Sequence, residues 1–379
     1  MKLDKVKRLV VKVGSSLIVG EDNHIRRDWL ATLAEDIAEI KKNGTQIIVV
    51  TSGAVALGRN VLGTEYKSKA LTLEEKQAAA ACGQTALMAA GWATSFQFGG
   101  THALDRWLYP AQILLTLEDT ENRRRYLNAR NTIETLLNNE RVVPVINEND
   151  TVATAELRFG DNDRLAARVA QMASADMLLL LSDIDGLYSA NPHVDKTARF
   201  IEKVDAITPD IEAMAGGVAS AVGSGGMVTK IEAAKIALAA GCHMIIASGK
   251  TLHPIAAYEK TGHGTWFVAS STPTSARKHW ISGAIAPAGV ITVDDGAAAA
   301  LKGGKSLLPA GVTALEGHFG RGDAVLIKDT AGRELGKGLI AYSSEDAARI
   351  RGHKSQDIEK ILGFKGRSAL IHRDDLVLR

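Results

Sequence analysis

Short apolar segments alternate with longer helical segments through about residue 264 of this 379-residue chain, and the alternation limits the folds open to it. The apolar segments are almost continuous in Val, Ile and Leu, as expected for strands buried on both faces of a parallel sheet. The predicted strands are Arg8–Val13, Gln46–Thr51, Val142–Ile146, Met177–Leu181 and Met244–Ala247. The predicted helices between them are Arg26–Lys42, Leu73–Phe96, Glu121–Asn139, Asp163–Ala173 and Thr229–Ala240. This order predicts a three-layer αβα sandwich with a mainly parallel open sheet and right-handed crossovers.

The character of the sequence changes after His263. Residues 270–275 are polar and poor in helix formers, which is typical of a linker. Short predicted strands separated by glycines follow, with one predicted helix near 346–351. These strands are Gly289–Val293, Ser306–Leu308, Ala324–Lys328 and Leu335–Ala341. We therefore predict one domain over 1–269, a linker over 270–283 and a small β-rich domain over 284–379.

Composition excludes several classes of protein. The chain is 46% hydrophobic and 23% charged, with a formal net charge of +2, so the whole molecule is not a trap for nucleic acid or an anionic membrane. Cys82 and Cys242 lie in small apolar segments without CxxC or HExxH patterns, so we expect buried thiols and no zinc site. Apolar residues 9–11 are too few for a signal-peptide core, and no later stretch approaches a membrane span. We expect a cytoplasmic protein.

Glycine or small polar residues follow four successive predicted strands. Ligands of open α/β sheets bind beyond the carboxyl ends of the strands, so these loops are candidates for a site. Gly14 and Gly53 can let backbone N–H groups face phosphate oxygens, although both could serve only to permit tight turns. The other strand ends carry Asn147 to Asp150 and the pair Ser182 and Asp183.

A glycine pair and a lysine open the helix predicted near residue 229. The segment consists of Ser224, Gly225, Gly226, Met227, Val228, Thr229 and Lys230. A lysine in a first helical turn opposes the helix dipole, so contact with a phosphate explains Lys230 better than stability does. Two other triplets, at 249–251 and 304–306, resemble the end of a P-loop, but the required earlier glycine is replaced by Met244 and Ala299. A P-loop is therefore excluded, as is a GxGxxG fingerprint after the first strand.

Phosphoryl transfer needs positive charge around the moving group rather than covalent chemistry. Lys12 and Lys230 can supply that charge from two sides. Asp161 and Asp163, on either side of Asn162, can hold the lysines and Mg²⁺, although one of the two could simply cap a helix.

These motifs, in this order, resemble the amino acid kinase superfamily. The segments that carry the resemblance are 11–16, 51–54, 160–163, 183–188 and 225–230. Within the superfamily, residues 126–130 and 147–156 resemble the glutamate 5-kinase family. The stretch from about Gly283 onward resembles a PUA domain, an RNA-associated fold.

The resemblance implies an ATP- and Mg²⁺-dependent kinase that converts L-glutamate to L-glutamyl 5-phosphate, the first step of proline biosynthesis. It also implies inhibition by proline, a homo-oligomer (dimer or tetramer) and functional coupling to glutamate-5-phosphate reductase. The catalytic residues it implies are Lys12, Lys230 and Asp163, with Asp163 orienting the lysines. The glutamate-binding residues it implies are Ser52, Gly53, Asp150 and Asn162, with Asp150 paired to the α-ammonium. For the nucleotide it implies Lys12, Gly14, Ser182, Asp183 and the residues 224–230; no metal ligand is assigned.

Two alternatives stay open at this point. Phosphate-binding motifs do not separate glutamate from aspartate, N-acetylglutamate or carbamate as the acceptor. RNA binding through the C-terminal domain is a second hypothesis, which we do not favour because basic and acidic residues are interleaved there instead of clustered.

Overall fold

The computed structural model describes residues 3–63, 66, 70–98, 108–154, 162–192, 194–216, 226–283 and 286–379. The chain divides into two compact units, Met1–Pro273 and Thr274–Arg379. Residues Pro273–Gly283 form a helix, so most of the predicted linker, 270–283, is helical. The predicted limits of the two domains and the linker stay a prediction.

An eight-stranded sheet forms the centre of the first unit, in the strand order β3-β4-β2-β1-β5-β9-β10-β8. Neighbouring strands are parallel except β9 and β10, which are antiparallel. The predicted mainly parallel α/β fold is confirmed. The strands of this unit, including a separate hairpin of β6 and β7, are β1 (Arg8–Val13), β2 (Gln46–Val50), β3 (Tyr109–Leu115), β4 (Val142–Glu148), β5 (Met177–Ser182), β6 (Leu187–Tyr188), β7 (Phe200–Ile201), β8 (Lys203–Val204), β9 (His243–Ser248) and β10 (Thr265–Phe267).

Helices cover both faces of this sheet. They are α1 (Ser15–Ile18), α2 (Arg27–Lys42), α3 (Ala54–Leu62), α4 (Leu73–Ala86), α5 (Thr94–Phe98), α6 (Leu117–Glu121), α7 (Arg123–Leu137), α8 (Asn162–Ala173), α9 (Pro209–Met214), α10 (Met227–Ala239) and α11 (Pro254–Thr261). The next helix, α12 (Pro273–Gly283), belongs after its first residue to the second unit, where Ile281 packs with Ala324 and Leu339. A π-helix, Leu87–Ala93, joins α4 to α5, and a 3₁₀ turn at Leu3–Lys5 precedes β1. Among the residues described, none of the helices has the length and apolarity that a membrane crossing requires.

Alternate residues of the central strands pack into two separate hydrophobic cores. On β1, Leu9, Val11 and Val13 belong to one apolar cluster, whereas Val10 belongs to the other. Successive side chains of a strand point to opposite faces, so the two clusters lie on opposite sides of the sheet. Lys12 therefore projects on the side of Val10, where the apolar residues of α8 also pack. On this side of the sheet, Lys12 can contact residues at the start of α8.

Three predictions about the first unit were wrong in detail. The edge strand β3 was not predicted at all. The predicted helix Leu73–Phe96 is interrupted by the π-helix. The predicted helix Glu121–Asn139 begins only at Arg123, because the side chain of Asn122 accepts a hydrogen bond from the N–H of Arg125 and caps a new helix there.

The second unit contains a five-stranded sheet in the order β12-β11-β13-β14-β15, with β11 and β13 parallel and the other pairs antiparallel. The predicted β-rich domain is confirmed. The predicted strand Ser306–Leu308 was wrong, since only Leu307 pairs there, in an isolated bridge to Ile371. The elements are β11 (Gly289–Val293), β12 (Val312–Gly317), β13 (Ala324–Asp329), β14 (Glu334–Leu339), β15 (Leu376–Leu378), α13 (Asp295–Lys302), α14 (Ser344–Ile350) and α15 (Ile358–Leu362), with 3₁₀ turns at Pro309–Gly311, Ser355–Asp357 and Arg373–Asp375.

Candidate active site

The carboxyl ends of four neighbouring parallel strands meet at one edge of the large sheet. β4, β2, β1 and β5 are consecutive in the sheet, so the residues that follow them lie side by side. This order brings Lys12, Ser52, Asn147 and Ser182 to the same edge. The strand-end loops singled out from the sequence therefore belong to one site.

A buried ion triad lies at the centre of this edge. The Asp163 side chain, at the start of α8, is fully buried. Its Oδ1 lies 2.5 Å from Nζ of Lys12, and its Oδ2 accepts a hydrogen bond from Nζ of Lys230 at 3.0 Å. Both lysines are buried as well. The structure thus brings together the three residues predicted to be catalytic, which come from β1, α8 and α10.

The charge of Asp163 is set by two opposing effects. Burial by itself raises the pKa of the carboxyl group, because the charged form loses its hydration. The ammonium groups of Lys12 and Lys230 outweigh this effect by Coulombic attraction and hydrogen bonding, so the pKa of Asp163 is lowered. The carboxylate stays ionised at neutral pH and holds two cations at one point.

The amide of Asn162 forms the second part of the site. Its Nδ2 lies 2.7 Å from the carbonyl oxygen of Thr51, 2.8 Å from Oγ of Ser52 and 3.1 Å from Oδ1 of Asn147. Asn147 in turn donates from Nδ2 to Oε1 of Gln84 on α4, at 2.8 Å. Of the predicted substrate residues, Ser52 and Asn162 are in contact, and Asn147 and Gln84 join them. Asn147 belongs to a strand-end loop singled out from the sequence but was assigned no role there, and Gln84 was not predicted at all.

Asp150 and Gly53 lie in the two loops beside this amide cluster. Asp150 is half-buried in the turn after β4, and that turn is held by a hydrogen bond from Gln77 Nε2 to the carbonyl oxygen of Ala153, at 3.0 Å. Gly53 precedes α3 with a φ of 103°, and a Cβ there would lie 2.9 Å from Cγ2 of Val19. A tight turn is therefore sufficient to explain Gly53, and its contact with substrate stays a prediction.

The start of α10 is a candidate site for an anion. Gly226 precedes the helix without a side-chain cap, and a Cβ added to Gly226 would meet no atom of the described chain within 4 Å. Thr229 donates to the carbonyl oxygen of Gly226 at 2.7 Å, which holds the first turn together. Met227 and Val228 are half-buried beside it, whereas Ser224 and Gly225 lie outside the described residues. The backbone N–H groups at this helix start suit an anion such as a phosphate.

The other predicted nucleotide residues lie at the ends of β1 and β5. Ser182 is buried and donates from Oγ to Oδ1 of Asp183 at 3.0 Å, and Asp183 itself is exposed. The N–H of Gly14 is directed to the carbonyl oxygen of Leu181, at 3.3 Å. Gly14 therefore does not point its own N–H outward as expected from the sequence, because the neighbouring strand already uses that donor.

No cluster of three or more His, Cys, Asp or Glu side chains that could hold a metal ion is present in the described parts of the chain. Mg²⁺ in kinases usually keeps several waters and is bound through substrate phosphates with one or two carboxylates, so it needs no such cluster. An open α/β sheet with two paired lysines beside an uncapped helix start is an arrangement suited to phosphoryl transfer, and it points to the class of α/β phosphotransferases.

Comparison with known proteins agrees with this class. Residues 7–248 match the amino acid kinase family and residues 289–362 match the PUA domain. The glutamate 5-kinase of Agrobacterium fabrum is 58% identical over 371 residues, covering 98% of this chain and 92% of that protein. The glutamate 5-kinase of Paramagnetospirillum magneticum is 58% identical over 377 residues, covering 99% of each. The chain therefore belongs to the amino acid kinase family and, within it, to the glutamate 5-kinases with a C-terminal PUA domain.

A solved structure agrees on the fold. The carbamate kinase from Giardia lamblia bound to AMP-PNP superimposes with a TM-score of 0.50 at 15% identity. The superposition covers 70% of this chain and 100% of that one. At that identity the likeness concerns the fold alone.

Proposed function

We propose that this kinase transfers the γ-phosphoryl group of ATP to the side-chain carboxylate of L-glutamate, giving L-glutamyl 5-phosphate and ADP. The observation that carries the proposal is the buried triad of Lys12, Asp163 and Lys230, which places two cations together next to the polar cluster around Asn162. The names of the relatives that match nearly the whole chain support glutamate as the acceptor.

The chemistry needs no general base. The glutamate side chain has an ordinary pKa of about 4.3, so it is already ionised at neutral pH and can attack phosphorus directly. A new bond forms between a carboxylate oxygen and the γ-phosphorus, and the bond from that phosphorus to the β-phosphate oxygen of ATP breaks. ADP leaves with the electron pair of the broken bond.

Lys12 and Lys230 act on the charge that moves during this transfer. Two ammonium groups fixed by one carboxylate are held in place before the reaction, so they stabilise the transferring phosphoryl group without reorganisation. Asp163 orients both lysines by pairing with each of them. Mg²⁺ bound to the nucleotide would supply further neutralisation of the phosphates.

Substrates occupy the two sides of the triad in this proposal. The nucleotide phosphates lie at the start of α10, where Gly226 to Thr229 offer N–H groups, with Ser182, Asp183 and Gly14 nearby along the sheet edge. The amino acid lies against Ser52, Gly53, Asp150 and Asn162. The Ser52 hydroxyl accepts a hydrogen bond from Asn162, so its own hydrogen can be donated to a substrate carboxylate.

The biological setting follows from the same proposal. The product is an acyl phosphate, which water readily hydrolyses, so a reductase that takes it directly is its expected consumer. We further propose that the enzyme serves proline biosynthesis in the cytoplasm, is inhibited by proline and forms a homo-oligomer. The name that the relatives share, glutamate 5-kinase, supports the glutamate acceptor on which the biosynthetic role rests.

The test is ADP formation with different acceptors. We expect turnover that requires L-glutamate, ATP and Mg²⁺ together, with little turnover on N-acetylglutamate, L-aspartate or carbamate. Turnover on one of these acceptors without turnover on L-glutamate would refute the assignment of substrate while leaving the assignment of a kinase in place.

A further inference from the structure

A chain of three side-chain amides runs from the candidate substrate pocket to α4, and its direction is fixed by a backbone group. The carbonyl oxygen of Thr51 can only accept hydrogen bonds, so the Asn162 atom 2.7 Å from it must be the amide nitrogen. The Asn147 atom facing that nitrogen must then be an oxygen, which turns the Asn147 nitrogen toward Gln84. Gln84 must therefore direct its Oε1 toward the Asn147 nitrogen. One carbonyl thus determines the orientation of all three amides.

This direction decides what Asn162 offers to a ligand. Its amide nitrogen has two hydrogens, and three acceptors already lie within 3.1 Å of it. Its Oδ1 accepts no hydrogen bond from any part of the chain that the structure describes. Asn162 therefore presents an acceptor and no donor to the candidate substrate site, which suits an ammonium group and does not suit a carboxylate.

Close backbone packing holds Gln84 in its place. A Cβ added to the adjacent Gly83 would lie 1.8 Å from the carbonyl oxygen of Ala54, and one added to Gly58 would lie 1.7 Å from that of Ala79. The helices α3 and α4 are therefore in direct backbone contact at these two glycines. Since α3 begins directly after Gly53, this contact fixes Gln84 relative to the strand-end loop that carries Ser52.

We propose that Gln84 is a positioning residue for the amino acid substrate. By accepting a hydrogen bond from Asn147, it keeps Asn147 Oδ1 turned toward Asn162 Nδ2. This contact holds the Asn162 amide, whose direction the Thr51 carbonyl sets, in place beside the substrate α-ammonium. This inference rests on the proposed function and adds to it a side chain, outside the binding pocket itself, that selects free amino acids over acceptors without an ammonium group.

The test compares L-glutamate with glutarate, which has both carboxylates and no ammonium group. For the wild type and Gln84→Met we would measure the KM for L-glutamate and the Ki of glutarate as a competitor. Met has a similar length and cannot replace the acceptor for Asn147. We expect the KM for L-glutamate to rise about tenfold, as for the loss of one hydrogen bond to a charged group, and the Ki of glutarate to change by less than about twofold.

Two further variants separate positioning from general damage. Gln84→Glu keeps an acceptor facing Asn147, so it should preserve the wild-type ratio of KM to Ki even if it is less stable. Gln112→Met is the matched control, because Gln112 contacts only the other end of the Gln84 amide, at 3.4 Å, and is exposed. It should leave both constants unchanged.

The outcomes distinguish the inference from the function on which it rests. Equal losses for L-glutamate and glutarate in Gln84→Met would overturn the inference alone, since a merely structural residue would weaken both. The inference also fails if Gln84→Glu loses the preference for L-glutamate. A wild-type protein without turnover on L-glutamate would instead refute the proposed function, and the inference with it.

Discussion

Asp163→Asn removes the negative charge that neutralises two buried lysines. Lys12 is 7% exposed and Lys230 is 3% exposed, so water cannot replace the lost carboxylate around either ammonium group. Removal of one partner from a buried ion pair costs about 3–5 kcal/mol, because the remaining charge stays buried without compensation. We expect a loss of this size in the free energy of unfolding of the first unit, which is a large part of the stability of about 5–15 kcal/mol that domains have.

Two variants calibrate that loss. Lys230→Met should cost less, because Asp163 keeps its ion pair with Lys12. Asp205→Asn breaks an exposed pair with Lys203, 2.7 Å apart, and should change the free energy of unfolding by no more than about 1 kcal/mol.

The assay is urea unfolding followed by tryptophan fluorescence, with Trp29 and Trp92 buried in the first unit as reporters. It should be repeated at acid pH. Since the native pKa of Asp163 is lowered, its contribution is complete above the ordinary Asp pKa of about 3.9 and is lost as the pH falls through the lowered value. In the Asp163→Asn variant, the free energy of unfolding should not show this part of the decrease at acid pH. If Asp163→Asn were as stable as Asp205→Asn, the stabilising role of the triad would be refuted.

Two other substitutions test the packing of each unit. Gly83→Ala places a methyl group 1.8 Å from the carbonyl oxygen of Ala54, so we expect the Tm to fall by about 5 °C, and an unchanged Tm in calorimetry would contradict the close helix contact. Arg277→Met leaves Asp375 buried without its guanidinium partner, so the second unit should lose about 3–5 kcal/mol. Adding Asp375→Asn should restore part of that stability in chemical unfolding, and no recovery would argue against the pair.

The central strands could be predicted from the sequence because each is buried on both faces. Such a strand is a continuous apolar segment, as in Met177–Leu181 of β5. A short segment of this kind is typical of a strand in the middle of a parallel sheet. The edge strand β3 has no such pattern, since Tyr109 and Gln112 are exposed and Pro110 stands between them. Its place in the sheet depends on its pairing with β4, which is a long-range property.

Local capping explains the helix boundaries that were wrong. Thr116 and Asp119 form a capping box at the start of α6, and Asn122 then caps α7 one turn later. The sequence contains both signals, but residues 118–125 are all polar, so no apolar periodicity shows where one helix ends and the next begins. The helix Leu73–Phe96 was predicted as one element for the same reason, because the periodicity gives no sign of the π-helix within it.

The triad could be predicted in part, and the amide chain could not. Lys230 lies in a glycine-rich helix start, which is a local pattern, whereas the meeting of Lys12 with Asp163 depends on which face of β1 packs against α8. Gln84 carried one weak local signal, as a polar residue after a run of Ala, Cys and Gly in α4. That signal shows that Gln84 is unusual without indicating Asn147 as its partner, because the contact joins residues far apart in the chain.

The roles of the two lysines are tested most directly by γ-glutamyl hydroxamate formation from ATP, Mg²⁺ and L-glutamate. Lys12→Ala and Lys230→Ala should lower kcat by about 100-fold or more while both variants remain folded, because each removes a fixed charge from the transferring phosphoryl group. Lys235→Ala is the matched control, since Lys235 lies on the same helix as Lys230 and pairs at the surface with Glu212 and Glu232. It should keep wild-type turnover. Near-normal turnover in a folded Lys12→Ala or Lys230→Ala variant would contradict the role assigned to that lysine.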